Sequence, residues 1–456
     1  MKFLLLGLAS LSLGNGQVCA AEEKPNFLLI LADDCTFSDL EIYGGQAKTP
    51  NLKKLFSQGM LFSNCFQAAP MCSPTRHCLY TGIYPVKSGA YPNHTNAYGW
   101  VKSIAHYLQH EGYTTHLSGK RHIGPQKVFP FEYSGKKNPE PTAFSKVLKS
   151  SEKSGKPFLF IAASNEPHTP WERGDSSAYP PNSLKLPPVL VDSPKTREGY
   201  SKYLAEITYF DSQVGELLGI LDQSKHRKNT LVIVLSEQGN SLPFAKWTCY
   251  DAGLRSGCVV RWPGKVKANS KSDALIEYVD VVPTFLDAAG VKRPEILDGR
   301  SFLSVLKGEA DTHKEYAFGL QTTRGINDGS EFYGIRSANN GRYRYIRNLS
   351  PDAVFLNTMM KDPIFYEWEK MAGNGDKKAM RLVHDYRHRP AEELYDVLKD
   401  PWNQNNLIED ESLSETREDL RKALDGWMKQ QGDEGHATEM RAFNRMPGRE
   451  AKKKKK

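Results

Sequence analysis

Four short apolar runs, each ending in a cluster of charged or amide side chains, constrain this chain more than any other feature. Residues 26–32 read Asn-Phe-Leu-Leu-Ile-Leu-Ala and end in Asp33-Asp34. An unbroken apolar run marks a strand covered on both faces, because a strand with one wet face alternates. Thr114 to Leu117 leads into Gly119-Lys120-Arg121-His122, and Pro157 to Ala163 into Asn165-Glu166-Pro167-His168. Thr230 to Leu235 leads into Ser236-Glu237-Gln238-Gly239. Helical patterns lie between them. Thr49 reads as an N-cap with Pro50 first in the helix, and Leu52, Leu55 and Phe56 share one face. A second helix, Ser103 to Glu111, stops at Gly112. In a long third helix, Leu204, Ile207, Phe210, Val214, Leu217 and Leu221 keep helical spacing. Strands alternating with helices predict an α/β fold, a large and mostly parallel sheet with helices on both faces. Ligands of such sheets bind beyond the carboxyl ends of the strands. Clusters roughly two hundred residues apart in sequence should therefore converge on one rim.

A chain of 456 residues exceeds one core, which predicts a smaller second unit. The pattern changes beyond residue 310. Tyr333 to Ser337 and Arg342 to Asn348 flank Asn339-Asn340-Gly341, a hairpin turn. Glu393-Leu394-Tyr395-Asp396 and a helix from Ser414 to Gln430 follow, completing a C-terminal antiparallel α+β unit. The expected division is a signal peptide over 1–20, a catalytic domain over 21–313, the α+β unit over 314–443 and a basic disordered tail over 444–456. Lys2, the apolar stretch Phe3 to Leu13 and Val18-Cys19-Ala20 make the signal peptide. No later stretch approaches the ~18 apolar residues of a membrane span. The protein is expected to be exported, periplasmic or secreted (lysosomal in a eukaryote). Net charge is +8, of which Lys452 to Lys456 contribute five, so the rest is near balance and argues against nucleic-acid binding. Six cysteines follow the signal peptide, with no C-x-x-C pair for structural zinc; one or two disulfides stay open.

The stretch Pro70-Met71-Cys72-Ser73-Pro74-Thr75-Arg76, followed by Leu79-Tyr80-Thr81-Gly82, sets a cysteine, a proline and an arginine at alternate positions. Alone, it reads equally as a buried thiol in a turn at Pro74. Taken with the rim clusters it resembles the sulfatase family across nearly the whole mature chain. The motifs come in the family's order: the paired aspartates, C-S-P-T-R, G-K-R-H-I-G, E-P-H-T-P, S-E-Q-G and L-Y-D-x-x-x-D-P. Within the family, the loop Gly119 to Tyr133 is similar to that of the heparan N-sulfatase (sulfamidase) branch. Tyr250 to Arg255 resembles the sulfate-ester hydrolases instead, so nitrogen or oxygen as the leaving atom stays open.

The resemblance implies an alkaline-phosphatase-like fold and a formylglycine at residue 72, made from Cys72 by a formylglycine-generating maturation enzyme. It implies that Asp33, Asp34, Glu237 and Gln238, with residue 72, hold a divalent cation, usually Ca2+. Glu237 and Gln238 are each one methylene longer than the family's usual Asp-Asn or Asp-His pair. The donor types are kept, as calcium's preference for hard oxygen requires. Arg76 is implied to hold residue 72, and Lys120, His122, His168 and Lys246 to form the basic set around a sulfate. His122 is assigned to deprotonating a hydroxyl at residue 72. His168 or Lys246 is assigned to protonating the leaving atom, Lys246 with its pKa lowered by nearby cations. The implied partner is a sulfated glycan, with N-sulfoglucosamine among the candidates and the oligomeric state left open. Arg324, Arg336, Arg342 and Tyr345 are candidates to flank an anionic sugar chain. Asn93-His94-Thr95 and Asn348-Leu349-Ser350 match glycosylation acceptors. One alternative is a phosphatase or phosphodiesterase of the same superfold, which would carry a serine or threonine nucleophile and more zinc ligands. The other is an inactive glycan-binding homologue, which would have lost Cys72 or Arg76.

Overall fold

The computed structural model describes residues 23–446; the expected signal peptide and the run Lys452 to Lys456 lie outside the described residues. The main sheet holds β1 (Asn26–Leu31), β2 (Met60–Phe66), β3 (Thr114–Gly119), β4 (Glu132–Ser134), β5 (Phe158–Ala163), β6 (Thr230–Leu235), β7 (Arg255–Arg261), β8 (Ser270–Ser272) and β9 (Ile276–Glu277). Their order is β4-β3-β5-β1-β6-β7-β2-β8, with β9 beside β2. Within this sheet only β7 runs antiparallel to its neighbours, β6 and β2. The four runs read from the sequence are the four adjacent parallel strands at the centre, and they end level. Leu31 pairs with both Ala163 and Leu235, and Gly119 pairs with Ala163.

Every residue of β1, β5 and β6 is buried, as the unbroken runs require. Alternation still operates inside β1. Leu28 and Ile30 enter one core with Leu204, Ile207 and Phe210 of the 29-residue helix Pro194–Asp222. Phe27, Leu29 and Leu31 enter the other with Phe285 and Leu286 of helix Val281–Ala288. The fold is thus the α/β sandwich that the resemblance to an alkaline-phosphatase-like fold implies. Each apolar face of a strand buried this way contributes on the order of 2 kcal/mol per large side chain.

The second sheet, β10 (Ala317–Thr322), β11 (Gly334–Asn339), β12 (Tyr343–Asn348) and β13 (Glu392–Asp396), is antiparallel throughout. Helix Ser414–Gln431 covers it, with Leu420, Leu424, Trp427 and Met428 packed on Leu320, Ala338, Tyr345 and Leu394. This unit does not stop at residue 443. The short helix Ala442–Arg445 crosses that boundary and Met446 is buried, so the packed chain reaches at least Met446. All six cysteines among the described residues are buried free thiols, with no disulfide. Asn93 and Asn348 are 2% and 3% exposed, which removes both as glycan acceptors in the folded chain.

Candidate active site

Because the central strands end level, the residues that follow them leave the sheet at one height. Backbone bonds lock this register beyond the strands: Asp33 N–H donates to the Glu166 carbonyl, Cys35 N–H to that of Glu237 and Lys120 N–H to that of Ala163. Gly119 has no room for a Cβ, which would lie 2.1 Å from the Ala163 carbonyl oxygen. Only glycine lets β3 end this close to β5.

Cys72 is delivered from another direction. It is the first residue of helix Cys72–Thr81, every residue of which is buried. Pro74 sits in the first turn, where its missing N–H costs nothing, so the segment is a helix start and not an isolated turn. The Cys72 sulfur accepts from Gln238 Nε2 at 3.0 Å, and lies 3.9 Å from Asp34 Oδ1 and 4.0 Å from Lys120 Nζ. Burial, with Asp33 adding to it, pushes the thiol up to about 12 against the pull of Lys120 and Lys246.

Around it lie paired charges. Lys120 bonds Asp33, while Lys246 Nζ lies 2.6 Å from Asp34 Oδ2. Ser241 Oγ donates to the same Asp34 oxygen at 2.7 Å, and His168 Nε2 lies 3.6 Å from it. Burial works against ionisation of both aspartates. Lys120 and His168, together with Arg76 and Lys246, nevertheless hold Asp33 well below the ordinary range, and Lys246 and His168 lower Asp34. Arg76 is fully buried; its Nη2 meets Glu237 Oε2 at 2.5 Å and its Nη1 donates to the Lys120 carbonyl at 2.9 Å. It therefore ties the Cys72 helix to β3 and β6 together. Lys246 departs from expectation. Burial would lower its pKa, but Asp34 outweighs that and raises it, so the ammonium keeps its proton.

His122 and His168 are both held towards neutral imidazole. Burial is the first cause in each, joined for His122 by Lys120 and His94. His122 Nδ1 is buried without a hydrogen-bond partner, and its ring meets His94 edge-on at 4.7 Å. Both residues take left-handed backbone, φ 49° and 61°. The loop bearing His94 is braced by the last described residues: Arg445 donates to the Gly89 and Asn96 carbonyls at 2.8 and 2.7 Å, and Tyr91 donates to the Thr438 carbonyl at 2.9 Å.

A cleft of about 420 Å³ opens above this floor. Cys72, His122, His168 and Lys246 contribute to it from the main sheet, and residues 325–327, 358–359 and 361–363 from the C-terminal unit. All nine site residues other than His122 are joined by direct contacts to one another, and His122 shares the cleft. Ser241, His94 and the C-terminal loops were not legible as site residues; Asn93-His94-Thr95 carried only an acceptor pattern. Of the four residues considered for sugar binding, Arg336 and Tyr345 are buried inside the second sheet and Arg342 pairs with Asp396. Arg324 lies over the Phe443 ring. Arg255 is also structural, donating to the Ser63 carbonyl at 2.8 Å and pairing with Asp251.

The donor set fits a hard divalent cation. Glu237 Oε1 and Gln238 Oε1 are buried acceptors without a partner, beside two ionised aspartates. Asp33, Cys72 and His168 present ligand atoms within 4.8 Å of one another. Gln238 offers nitrogen to Asp34 Oδ1 at 2.7 Å, and a half-turn of its amide offers oxygen instead. Two carboxylates, the Glu237 carboxyl, which burial pushes up to about 8 and which a bound cation would ionise, and an amide oxygen supply at least half of calcium's roughly six to eight ligands.

A family model described as Sulfatase matches residues 25–291, and one described as N-sulphoglucosamine sulphohydrolase, C-terminal, matches 239–367. An ulvan-active sulfatase of Formosa agariphila is 34% identical over 431 residues, spanning 91% of this chain and 82% of that protein. The human N-sulphoglucosamine sulphohydrolase is 26% identical over 463 residues, spanning 90% and 91%. Among solved structures, a putative sulfatase from Bacteroides fragilis superposes with a TM-score of 0.70 at 18% identity, covering 93% of this chain and 99% of that one. A protein solved with its substrate D-glucosamine-2-N,6-O-disulfate gives 0.67 at 18% identity, covering 91% and 99%.

Proposed function

The chain belongs to the sulfatase family, as a sulfuric ester hydrolase, and from that premise we propose that it is an exported, calcium-dependent enzyme stripping sulfate from a glycan through a formylglycine at residue 72. The observation carrying this reading is the position of Cys72. It heads a buried helix, with Gln238 at 3.0 Å and Lys120 at 4.0 Å, at the rim where four strands end. A helix N-terminus adds its own attraction for an anion there.

An aldehyde hydrate at residue 72 supplies one hydroxyl to attack sulfur and a second whose deprotonation re-forms the carbonyl and expels sulfate. A cation held by Asp33, Asp34, Glu237 and Gln238 supplies positive charge that polarises the sulfate oxygens. The remaining work belongs to side chains. Lys120 and Lys246 stand as fixed cations against a substrate whose charge is spread over several oxygens, and in a dry site such preorganised charge acts at close to full strength. Neutral His122, with a vacant buried nitrogen, is suited to take the proton from the second hydroxyl. Lys246, which carries its proton, and His168 are placed to serve the leaving atom. Arg76 positions Glu237 and the Lys120 loop.

A phosphatase of the same superfold is disfavoured because the nucleophile position holds Cys72 and His168 is the one histidine in the potential metal cluster among the described residues. An inactive glycan binder is disfavoured because Cys72 and Arg76 are both kept. The match of residues 239–367 and the human relative support a glucosamine-containing sulfated glycan as substrate class. A second reading, ulvan, is favoured by the relative at 34% identity.

The test has two parts. Peptide mass spectrometry of active protein should show formylglycine at residue 72, and Cys72→Ala should be folded but inactive; active protein carrying only cysteine there refutes the mechanism. Desulfation should then be compared on N-sulfoglucosamine, 6-O-sulfated N-acetylglucosamine, sulfated galactose, sulfated fucose and ulvan oligosaccharides. Cleavage of either glucosamine compound supports the first reading, and cleavage of ulvan alone replaces it with the second.

A further inference from the structure

We propose that Trp247 is the apolar wall on which the sugar ring of the substrate rests, making it a specificity-determining residue; this builds on the reading of the cleft as a glycan desulfation site. Trp247 lines the same cleft as Cys72 and His168. Its ring centroid lies 4.7 Å from Lys246 Nζ, and that ammonium is itself 2.6 Å from Asp34. The indole is therefore the first large apolar surface next to the charged floor. Its support is independent of any ligand. Met71 and Ile326 pack against it, so the side chain bridges the lead-in to Cys72 and a loop of the C-terminal unit. Its backbone N–H donates to the Pro70 carbonyl at 3.1 Å.

Two further features point to use rather than filling. Trp247 adopts φ 72°, left-handed backbone that a bulky side chain avoids unless its surroundings enforce it. It also stays partly exposed where it lines the cleft, and it is the one tryptophan among the described residues that does so. A sulfated sugar carries a charged end and a face of C–H groups. A floor of fixed cations bordered by an indole matches both ends of that molecule.

The test uses the full, matured protein and whichever sulfated sugar of the panel above it turns over. Trp247→Gly removes the ring while glycine accepts the positive φ, so the loop keeps its path. Its KM for the sulfated sugar should rise about tenfold, the loss expected from exposing part of a large apolar contact. Competitive inhibition by inorganic sulfate, which occupies the charged floor but has no sugar, should change less than twofold. Trp247→Phe should recover most of the KM. An unchanged KM in the glycine variant overturns the proposal. So does a parallel rise in KM and in the sulfate inhibition constant, which would mean the indole merely holds Lys246. If the parent releases no sulfate from any sulfated sugar, the function reading falls first and this proposal with it.

Discussion

Replacing Arg336 with methionine should destabilise the C-terminal unit. The guanidinium is fully buried. It donates to both oxygens of Asp433, to Glu439 Oε1 at 2.9 Å and to the carbonyls of Ile335 and Gln321 at 3.0 and 3.3 Å. Burial would lower its pKa, but Asp433 and Glu439 outweigh burial and raise it. Removing the arginine strands two carboxylates that are 0% and 1% exposed. Breaking a buried ion pair from one side costs about 3–5 kcal/mol, far more than losing a surface bridge. Equilibrium urea unfolding should report that loss as a lower midpoint at unchanged slope. Limited proteolysis should cut first between residues 433 and 446. A triple variant, Arg336→Met with Asp433→Asn and Glu439→Gln, should recover much of the stability, because no ion is then left buried. The reasoning is refuted if Arg336→Met keeps its midpoint and instead raises KM for a polyanionic glycan.

Two other outcomes follow from the site. Shortening the acidic pair, with Glu237→Asp and Gln238→Asn, should weaken calcium binding at least tenfold by titration calorimetry, since the register of β6 against β1 fixes the backbone and each oxygen then falls short by a methylene; unchanged or tighter binding refutes the assignment. Arg445→Ala gives up bonds to the Gly89 and Asn96 carbonyls and a guanidinium 4.0 Å from the Tyr98 ring centroid, together about 2–4 kcal/mol of local stability. Amide exchange over residues 89–97 should accelerate and kcat/KM should fall several-fold; unaltered exchange there contradicts the bracing role.

The parts of the molecule legible in the sequence are those where burial is total or spacing is periodic. β1, β5 and β6 stand out because a strand covered on both faces has no polar positions to obscure it. β2 and β7 pass unnoticed: Met60–Phe66 carries Ser63 and Asn64, and Arg255–Arg261 begins with Arg255 and Ser256. The rim residues Asp33, Lys120, His168 and Glu237 were legible by position, since each follows a strand. Arginines were not, because the same side chain pairs inside the fold or meets ligand outside it. Arg336, Arg255 and Arg76 are all buried or nearly so, yet only Arg76 reaches the site. Asn93 shows the opposite failure. A surface acceptor pattern belongs there to a buried residue, whose backbone N–H donates to the Arg324 carbonyl at 3.3 Å.

The bracing of residues 89–97 by Thr438 and Arg445 also has a consequence in time. During synthesis the strands that carry Asp33, Lys120, His168 and Glu237 leave the ribosome long before residue 438, and the charged floor can assemble from them. The loop bearing His94 stays without its brace until Thr438 and Arg445 have emerged. A nascent product without that segment would then hold the charged floor in register while one wall of the cleft stood unsupported. Competence to engage a glycan would then wait on the segment carrying Thr438 and Arg445, after the charged floor has formed.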